Sequence, residues 1–337
     1  MAMPRLQVSQ LLREFMRYDK LAGPVPRMLV LRSRYWLDDA AIHAAQATGW
    51  EVEAVPVVAE GVLPRENIER LLTTLTHFRP DFILSVNLGG MDVEGLFAGL
   101  FQDLAVPFVT WFVDDPRTII MGRTTYSTRL SMALTWDAAY EDYLRKAGFP
   151  HVETLPLAVD LSLFDAQPLD SWDLPPTFVG SSMVNYAQRM SSELQQRYPD
   201  VAAATREALD AGRVTRENFG KGLHAMLPPP FVASLDAEQQ RLAEMVCFIE
   251  GTRRLRQAFI ESLAADGLDV RGDTDWSLSI PNARKAVDYA KELPDIYRRS
   301  PLNFNITSIQ MPNTVNQRVF DCPAAGGFVL TDRQPAL

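Results

Sequence analysis

Cysteine and histidine are scarce in this chain, with two and four among 337 residues. Cys247 and Cys322 fall on separate expected helices without ligand spacing, so they read as structural thiols of a reducing compartment, and no zinc or other metal site is expected. A run of 18 apolar residues is also missing, and the N-terminus MAMPRLQVSQLLREFMRYDK carries charges every few positions with no apolar core. That excludes a membrane-spanning helix and a signal peptide, and the expectation is a cytoplasmic protein. Basic charge is in deficit: 33 Lys and Arg stand against 42 Asp and Glu, for a net charge of −9. Nucleic acid and anionic membranes both want a basic face, so neither is an expected partner. No strand leads into the repeated glycines of a dinucleotide turn, which argues against an oxidoreductase.

What is present is the composition of a globular chain, 47% hydrophobic and 22% charged. Its length exceeds the roughly 250–300 residues at which a single core stops growing, so two domains are expected. After an amphipathic helix over 4–22, strands at 28–31, 51–57, 82–86 and 108–113 alternate with helices at 38–48, 65–78 and 93–104. Such alternation predicts a parallel sheet with helices on both faces, and ligands bind such sheets outside the carboxyl ends of the strands. Two strand ends stand out. One is Asn87-Leu-Gly-Gly-Met-Asp92, and the other is Asp114-Asp115-Pro116-Arg117. Adjacent carboxylates repel, which raises one pKa and suits a general base; the competing reading is that one of them caps the turn at Pro116. A strand at 132–135 leads to Asp137, read as the N-cap of a helix over 138–147, and a strand at 152–155 follows. Residues 161–176, with Pro168, Pro175 and Pro176, read as a hinge that separates a domain over 1–160 from one over 177–337.

The second domain opens on the strand FVGSS, which taken alone predicts a tight turn at Gly180-Ser181-Ser182. Residues 186–265 are dominantly helical, an insertion covering this domain or an oligomer contact. Arg253, Arg254 and Arg256 within them read as a solvated face. The alternation resumes at 268–270, and LNFNIT alternates apolar and amide side chains as a strand does. A helix over 315–324 follows, closed by Gly326-Gly327. Its first turn gathers Asn313, Asn316, Gln317 and Arg318, suited to phosphate oxygens, with Asp321 one turn on for sugar hydroxyls. The alternative is an ordinary Arg318–Asp321 surface pair.

The segment VNQRVFDCPAAGGFVLTD, preceded by LNFNIT, resembles the signature of the CgeB-like glycosyltransferases. The resemblance extends upstream through PDFILSVNLGGMD, VPFVTWFVDDP, TWDAAYEDYLRKAG, VETLPLAVD and FVGSS, in the family's order. It implies a GT-B-like α/β architecture: two Rossmann-like domains facing across a cleft, the second carrying the helical insertion and the nucleotide-sugar donor. It implies transfer of a sugar from a nucleotide-diphosphate donor to an acceptor glycan, protein or small molecule that the sequence does not identify. A non-catalytic nucleotide-sugar-binding or assembly protein and a nucleotide-sugar epimerase are the alternatives. By this resemblance Asp114 and Asp115 belong to the catalytic cleft and Asn87 and Asp92 to the acceptor side. Gly180, Ser181, Asn313, Asn316, Arg318 and Asp321 belong to the donor site. No cofactor or metal is implied, and a homo-oligomer is compatible. GT-B enzymes carry further elements after the last strand, so TDRQPAL reads as a C-terminal truncation.

Overall fold

Alternating strands and helices build two parallel sheets, one in each of two units, Met1–Pro156 and Leu157–Leu337. The computed structural model describes residues 6–33, 35–57, 65–165, 167 and 169–337.

The first unit holds β1 (Arg27–Arg32), β2 (Glu51–Pro56), β3 (Phe82–Val86), β4 (Phe108–Phe112), β5 (Ser131–Thr135) and β6 (His151–Thr154). Its helices are α1 (Gln10–Phe15), α2 (Trp36–Ala47), α3 (Arg65–Phe78), α4 (Leu96–Asp103), α5 (Pro116–Ile120) and α6 (Glu141–Lys146). The strand order is β2-β1-β3-β4-β5-β6, all parallel. Side chains alternate across a strand, so β1 feeds two cores at once. Leu29 and Leu31 join Ile83, Phe108, Phe112 and the α3 residues Leu71 and Leu75 on one face. Met28 and Val30 join Leu84 and the α2 residue Ala45 on the other.

The second unit holds β7 (Thr177–Val179), β8 (Asp269–Gly272), β9 (Arg284–Lys285), β10 (Asn303–Asn305) and β11 (Val329–Thr331), in the parallel order β11-β10-β7-β8-β9. Its helices are α7 (Val184–Arg197), α8 (Pro199–Asp210), α9 (Arg216–Lys221), α10 (Pro229–Ala233), α11 (Ala237–Ala265), α12 (Leu293–Arg299) and α13 (Arg318–Ala324). Helices α7 to α11 share a core of their own, with Leu194, Phe219, Leu242, Val246 and Ile249 at its centre. Helix α11 starts in a capping box: Asp236 accepts from the N–H of Gln239 at 2.9 Å, and the Gln239 side chain accepts from the N–H of Asp236 at 2.9 Å. Its first half packs in that helical core, and its last turns pack Ile260 onto the sheet beside Phe178 and Val270. Arg256 sits where the helix passes from one core to the other.

Several boundaries differ from the sequence reading. The helix expected over 4–22 is confined to α1, residues 4 and 5 lying outside the described residues. Beyond it the carboxylate of Asp81 takes the backbone N–H groups of Leu21 and Arg27, both at 2.8 Å, and holds the chain out of helix. Helix α4 starts at Leu96, because Asp92 accepts from the N–H groups of Leu96 and Phe97 at 2.7 and 2.8 Å. The segment expected as a single helix over 138–147 is a 3-10 turn at Ala138–Tyr140 followed by α6. Its start is as expected, with Asp137 capping the N–H of Ala139 at 2.9 Å. The helix expected from 315 begins only at Arg318, so Asn313 and Asn316 occupy the loop before it and Gln317 is its N-cap. Its end is the expected one: Gly326 is left-handed at φ 77°, and the N–H of Gly327 returns to the carbonyl of Cys322 at 2.9 Å.

The 161–176 segment packs into the second unit on both sides of residues 166 and 168, which lie outside the described residues. Phe164 is fully buried against Tyr289 and Tyr297, and Asp173 pairs with Arg299. Among the described residues no helix is long and apolar enough to cross a membrane.

Candidate functional site

In the second unit the chain runs from β7 to β8 and β9 on one side and returns through β10 and β11 on the other. The order of progression therefore reverses between β7 and β10, and the crevice outside such a reversal is where open parallel sheets take ligands. Gly180-Ser181-Ser182 leaves the end of β7, and Asn305 ends β10.

The Gly180 backbone is pinned. Its N–H donates to the Arg271 carbonyl at 2.9 Å, and its carbonyl accepts from the Trp276 indole at 2.8 Å. A Cβ there would stand 2.9 Å from Phe178 Cζ, which would have to shift, whereas Arg318 Nη2 at 3.6 Å is at ordinary contact distance. The hydroxyl of Ser181 donates to Asp273 at 2.6 Å and accepts from the N–H of Met183 at 3.1 Å. Ser182 donates to the same carboxylate through both its N–H and its hydroxyl. Burial works to raise the pKa of Asp273, but these hydrogen bonds outweigh it and hold the carboxyl below the ordinary value. The Ser181 hydroxyl thus fixes the loop rather than pointing a free donor into the crevice.

Arg318 donates through Nη1 to Asn305 Oδ1 at 2.8 Å, and Asn316 donates to the same oxygen at 2.8 Å. Asn305 is held in turn by its own donation to Thr331 at 2.8 Å. The Nε of Arg318 is buried and finds no partner among the described residues. Arg256 arrives from α11, 62 positions earlier in the chain, and donates to the Ser181 carbonyl at 2.9 Å. Its Nε is likewise buried without a partner among the described residues. Burial first, and the like charge of Arg318 second, lower the Arg256 pKa to about 10. Two guanidiniums that disfavour each other thus stand at this strand end, each with a buried Nε that finds no partner among the described residues.

Beneath them Asp321 is buried, 1% exposed, and accepts from the Tyr289 hydroxyl at 2.7 Å. The Gln317 amide donates to that hydroxyl at 3.0 Å. Burial pushes the Asp321 carboxyl up to about 7 against the opposing pull of Tyr289 and Arg318, and its Oδ1 has no partner among the described residues. Asn313 is exposed in the preceding loop, where its carbonyl accepts from the N–H of Ala336 at 3.0 Å.

In the first unit the reversal falls between β1 and β3. Asn87 follows β3 in a left-handed conformation at φ 51°, as does Leu88 at 58°, a strain that a loop keeps only when its surroundings over-determine it. Asn87 accepts from the N–H groups of Val113 and Asp114 at 2.9 and 3.3 Å and donates to Asp114 Oδ2 at 2.8 Å. That oxygen also accepts from the Tyr35 hydroxyl at 3.0 Å. Burial and the Asp114 carboxylate raise the Tyr35 pKa, so the phenol stays protonated. The neighbouring Asp115 is 1% exposed, caps the N–H of Arg117 at 2.9 Å and pairs with its guanidinium at 2.7 Å. The two adjacent acids therefore separate: Asp115 takes the capping role weighed for this turn, and Asp114 joins Asn87 and Tyr35. Asp92, grouped with Asn87 in the sequence reading, has both oxygens on the start of α4.

Of the arginine cluster expected as a solvated face, Arg253 and Arg254 pair with Glu250, and Arg254 also with Asp210. Those groups line a cavity of about 530 Å³ between α7, α8 and α11 that holds none of the expected site residues. Arg256 departs from that reading. Its signal was faint, since nothing in RRLR distinguishes the third arginine until the helix is placed against the sheet. Asn305 was legible only as one of two amides alternating with apolar residues in LNFNIT. No sequence signal marks Tyr35 or Tyr289.

A family model described as glycosyl transferase-like matches residues 253–337. That span runs from Arg256 through Asp273, Asn305, Arg318 and Asp321, so the cationic half of the crevice lies within it. No curated protein and no solved structure gives a significant match to the chain.

Proposed function

We propose that the protein is a glycosyltransferase of GT-B-like organisation that takes its donor, a nucleoside-diphosphate sugar, at the β7/β10 reversal of the second unit. The observation that carries this reading is the Arg256–Arg318 pair, two guanidiniums with buried, unused Nε donors in a glycosyl transferase-like segment. A diphosphate satisfies both arginines at once, through charge-assisted hydrogen bonds that guanidinium geometry favours. Asn305, itself bonded by Asn316, orients Arg318, and Asp321 takes the Tyr289 hydroxyl.

In the transfer step a hydroxyl of the acceptor bonds to the anomeric carbon and gives its proton to a carboxylate base. The bond from that carbon to the diphosphate oxygen breaks, and the nucleoside diphosphate leaves with the electron pair. Fixed cations at the departing oxygens stabilise this charge as it develops. In the first unit Asp114 is the group suited to be the base, because Asn87 and Tyr35 hold its carboxylate while Asp115 is committed to Arg117.

Calorimetric titration with UDP, GDP, ADP and TDP tests the donor half. At least one should bind, and Arg318→Ala should weaken it by about 1.5–3 kcal/mol, the range for a hydrogen bond to a charged group. Failure of all four to bind, or unchanged affinity in the variant, would remove the proposed donor site.

A further inference from the structure

The cavity of about 530 Å³ between α7, α8 and α11 takes no part in the proposed donor site, since Ser181, Arg256 and Arg318 are absent from its lining. It is open because Ala187 and Ser191 on α7 and Ala202 on α8 line it where longer side chains would fill it. Leu194, Leu209 and Val246, all buried, give it an apolar floor. Such a volume, with apolar surface beside a few polar groups, is the usual make-up of a small-ligand site.

Charge on the wall narrows the class of ligand. Three guanidiniums, of Arg206, Arg253 and Arg254, stand against the two carboxylates of Asp210 and Glu250, an excess of one positive charge. Glu250 accepts from Arg253 at 2.6 Å and from Arg254 at 3.0 Å, and Arg254 also donates to Asp210 at 2.8 Å. Burial works to raise the Glu250 pKa, but those bonds outweigh it and hold the carboxyl below its ordinary value, so it stays charged. Arg206 is the cation left over. It donates to the neutral side chain of Gln195 at 3.2 Å and has no ion-pair partner among the described residues.

We propose that this cavity binds a small amphipathic carboxylate, with its apolar body on the floor and its carboxylate at Arg206. A guanidinium takes a carboxylate through two parallel hydrogen bonds, and the apolar body displaces water from Leu194, Leu209 and Val246. A cationic ligand would meet the excess positive charge, and a second negative charge on the ligand would meet Asp210 and Glu250. This site stands or falls apart from the donor site, with which it shares no lining residue.

Saturation-transfer NMR on the 337-residue chain tests the site, with octanoate and 4-phenylbutyrate as probes and octylammonium as the control of opposite charge. At least one carboxylate should bind saturably at millimolar concentration or below, and octylammonium should not. Arg206→Gln, at an exposed position, should lower the carboxylate affinity about tenfold, the low end for a hydrogen bond to a charged group. Ser191→Phe, at a half-buried position, puts a ring into the cavity and should abolish binding while thermal melts show a folded protein. Arg206→Gln reads the same contact from the surface, so the test does not depend on the larger side chain being accommodated. No binding by either carboxylate, equal binding by octylammonium, or unchanged affinity in the Arg206→Gln protein overturns the site.

Discussion

The guanidinium of Arg256 donates to the carbonyl oxygen of Ser181 at 2.9 Å, tying the middle of the long helix α11 to the loop that leaves β7. Through this one bond a helix that mostly serves a separate helical core delivers a second cation beside Arg318. The contact is local in space and 75 residues apart in the chain.

Replacing Arg256 should separate stability from binding. Arg256→Met keeps the stem that packs along α11 and removes a charge that burial and Arg318 both oppose. Thermal melts of the ligand-free variant should match or exceed those of the parent, while the rise in Tm on adding nucleoside diphosphate should largely vanish. A variant that melts several degrees lower yet binds normally would assign Arg256 to structure alone.

Asp321 gives the second unit a pH signature. Its carboxyl titrates near 7 in the folded protein against 3.8 for an ordinary aspartate. Between those values the folded chain holds a proton that the unfolded chain has released. Stability therefore falls as pH rises through this window and levels off above the folded pKa. Asp321→Asn should be the more stable protein above neutrality, by on the order of 1–4 kcal/mol, with the difference closing toward pH 4. Denaturant melts of both proteins across that range give the difference directly, and parallel curves would contradict the buried-acid account.

The adjacent acids of the first unit should respond differently. Asp115→Ala removes the cap of α5 and the buried ion pair with Arg117, so unfolding free energy should drop by about 1–3 kcal/mol. Asp114→Asn should leave the melting curve within about 1 kcal/mol of the parent, as partly exposed substitutions usually do, and abolish transfer. Turnover at parental level in Asp114→Asn would exclude it as the base.

Gly272 is predicted to be irreplaceable for packing. A Cβ there would collide with the Gly180 carbonyl and stand 2.8 Å from the Trp276 ring, and a backbone carbonyl pinned at both ends has nowhere to go. Gly272→Ala should yield little folded protein. By contrast a Cβ on Gly267 meets nothing within 4 Å, and although its φ of 95° strains any side chain, Gly267→Ala should fold. Soluble yield and circular dichroism distinguish the two.

Periodicity and breakers were sufficient for much of this molecule. The strands of the first sheet, helix α3 residue for residue, the cap at Asp137 and the left-handed close at Gly326 depend on short-range sterics and hydrogen bonds, which the local sequence states in full, whereas the two-residue edge strand β9 was not legible. Other features depend on groups far apart in sequence. Asp81 holds the chain after α1 out of helix, and the Gln317 amide at the start of α13 goes to Tyr289. Arg117 takes Asp115, while Asn87 and Tyr35 donate to Asp114. Arg256 turns from a seemingly solvated run toward Ser181. Secondary structure and topology class were thus determined by the order of residues along the chain, because backbone preferences are summed over neighbours. Which charged side chain is consumed as a cap or ion pair and which is left to meet a ligand was decided only by the tertiary structure, because burial and pairing are properties of place.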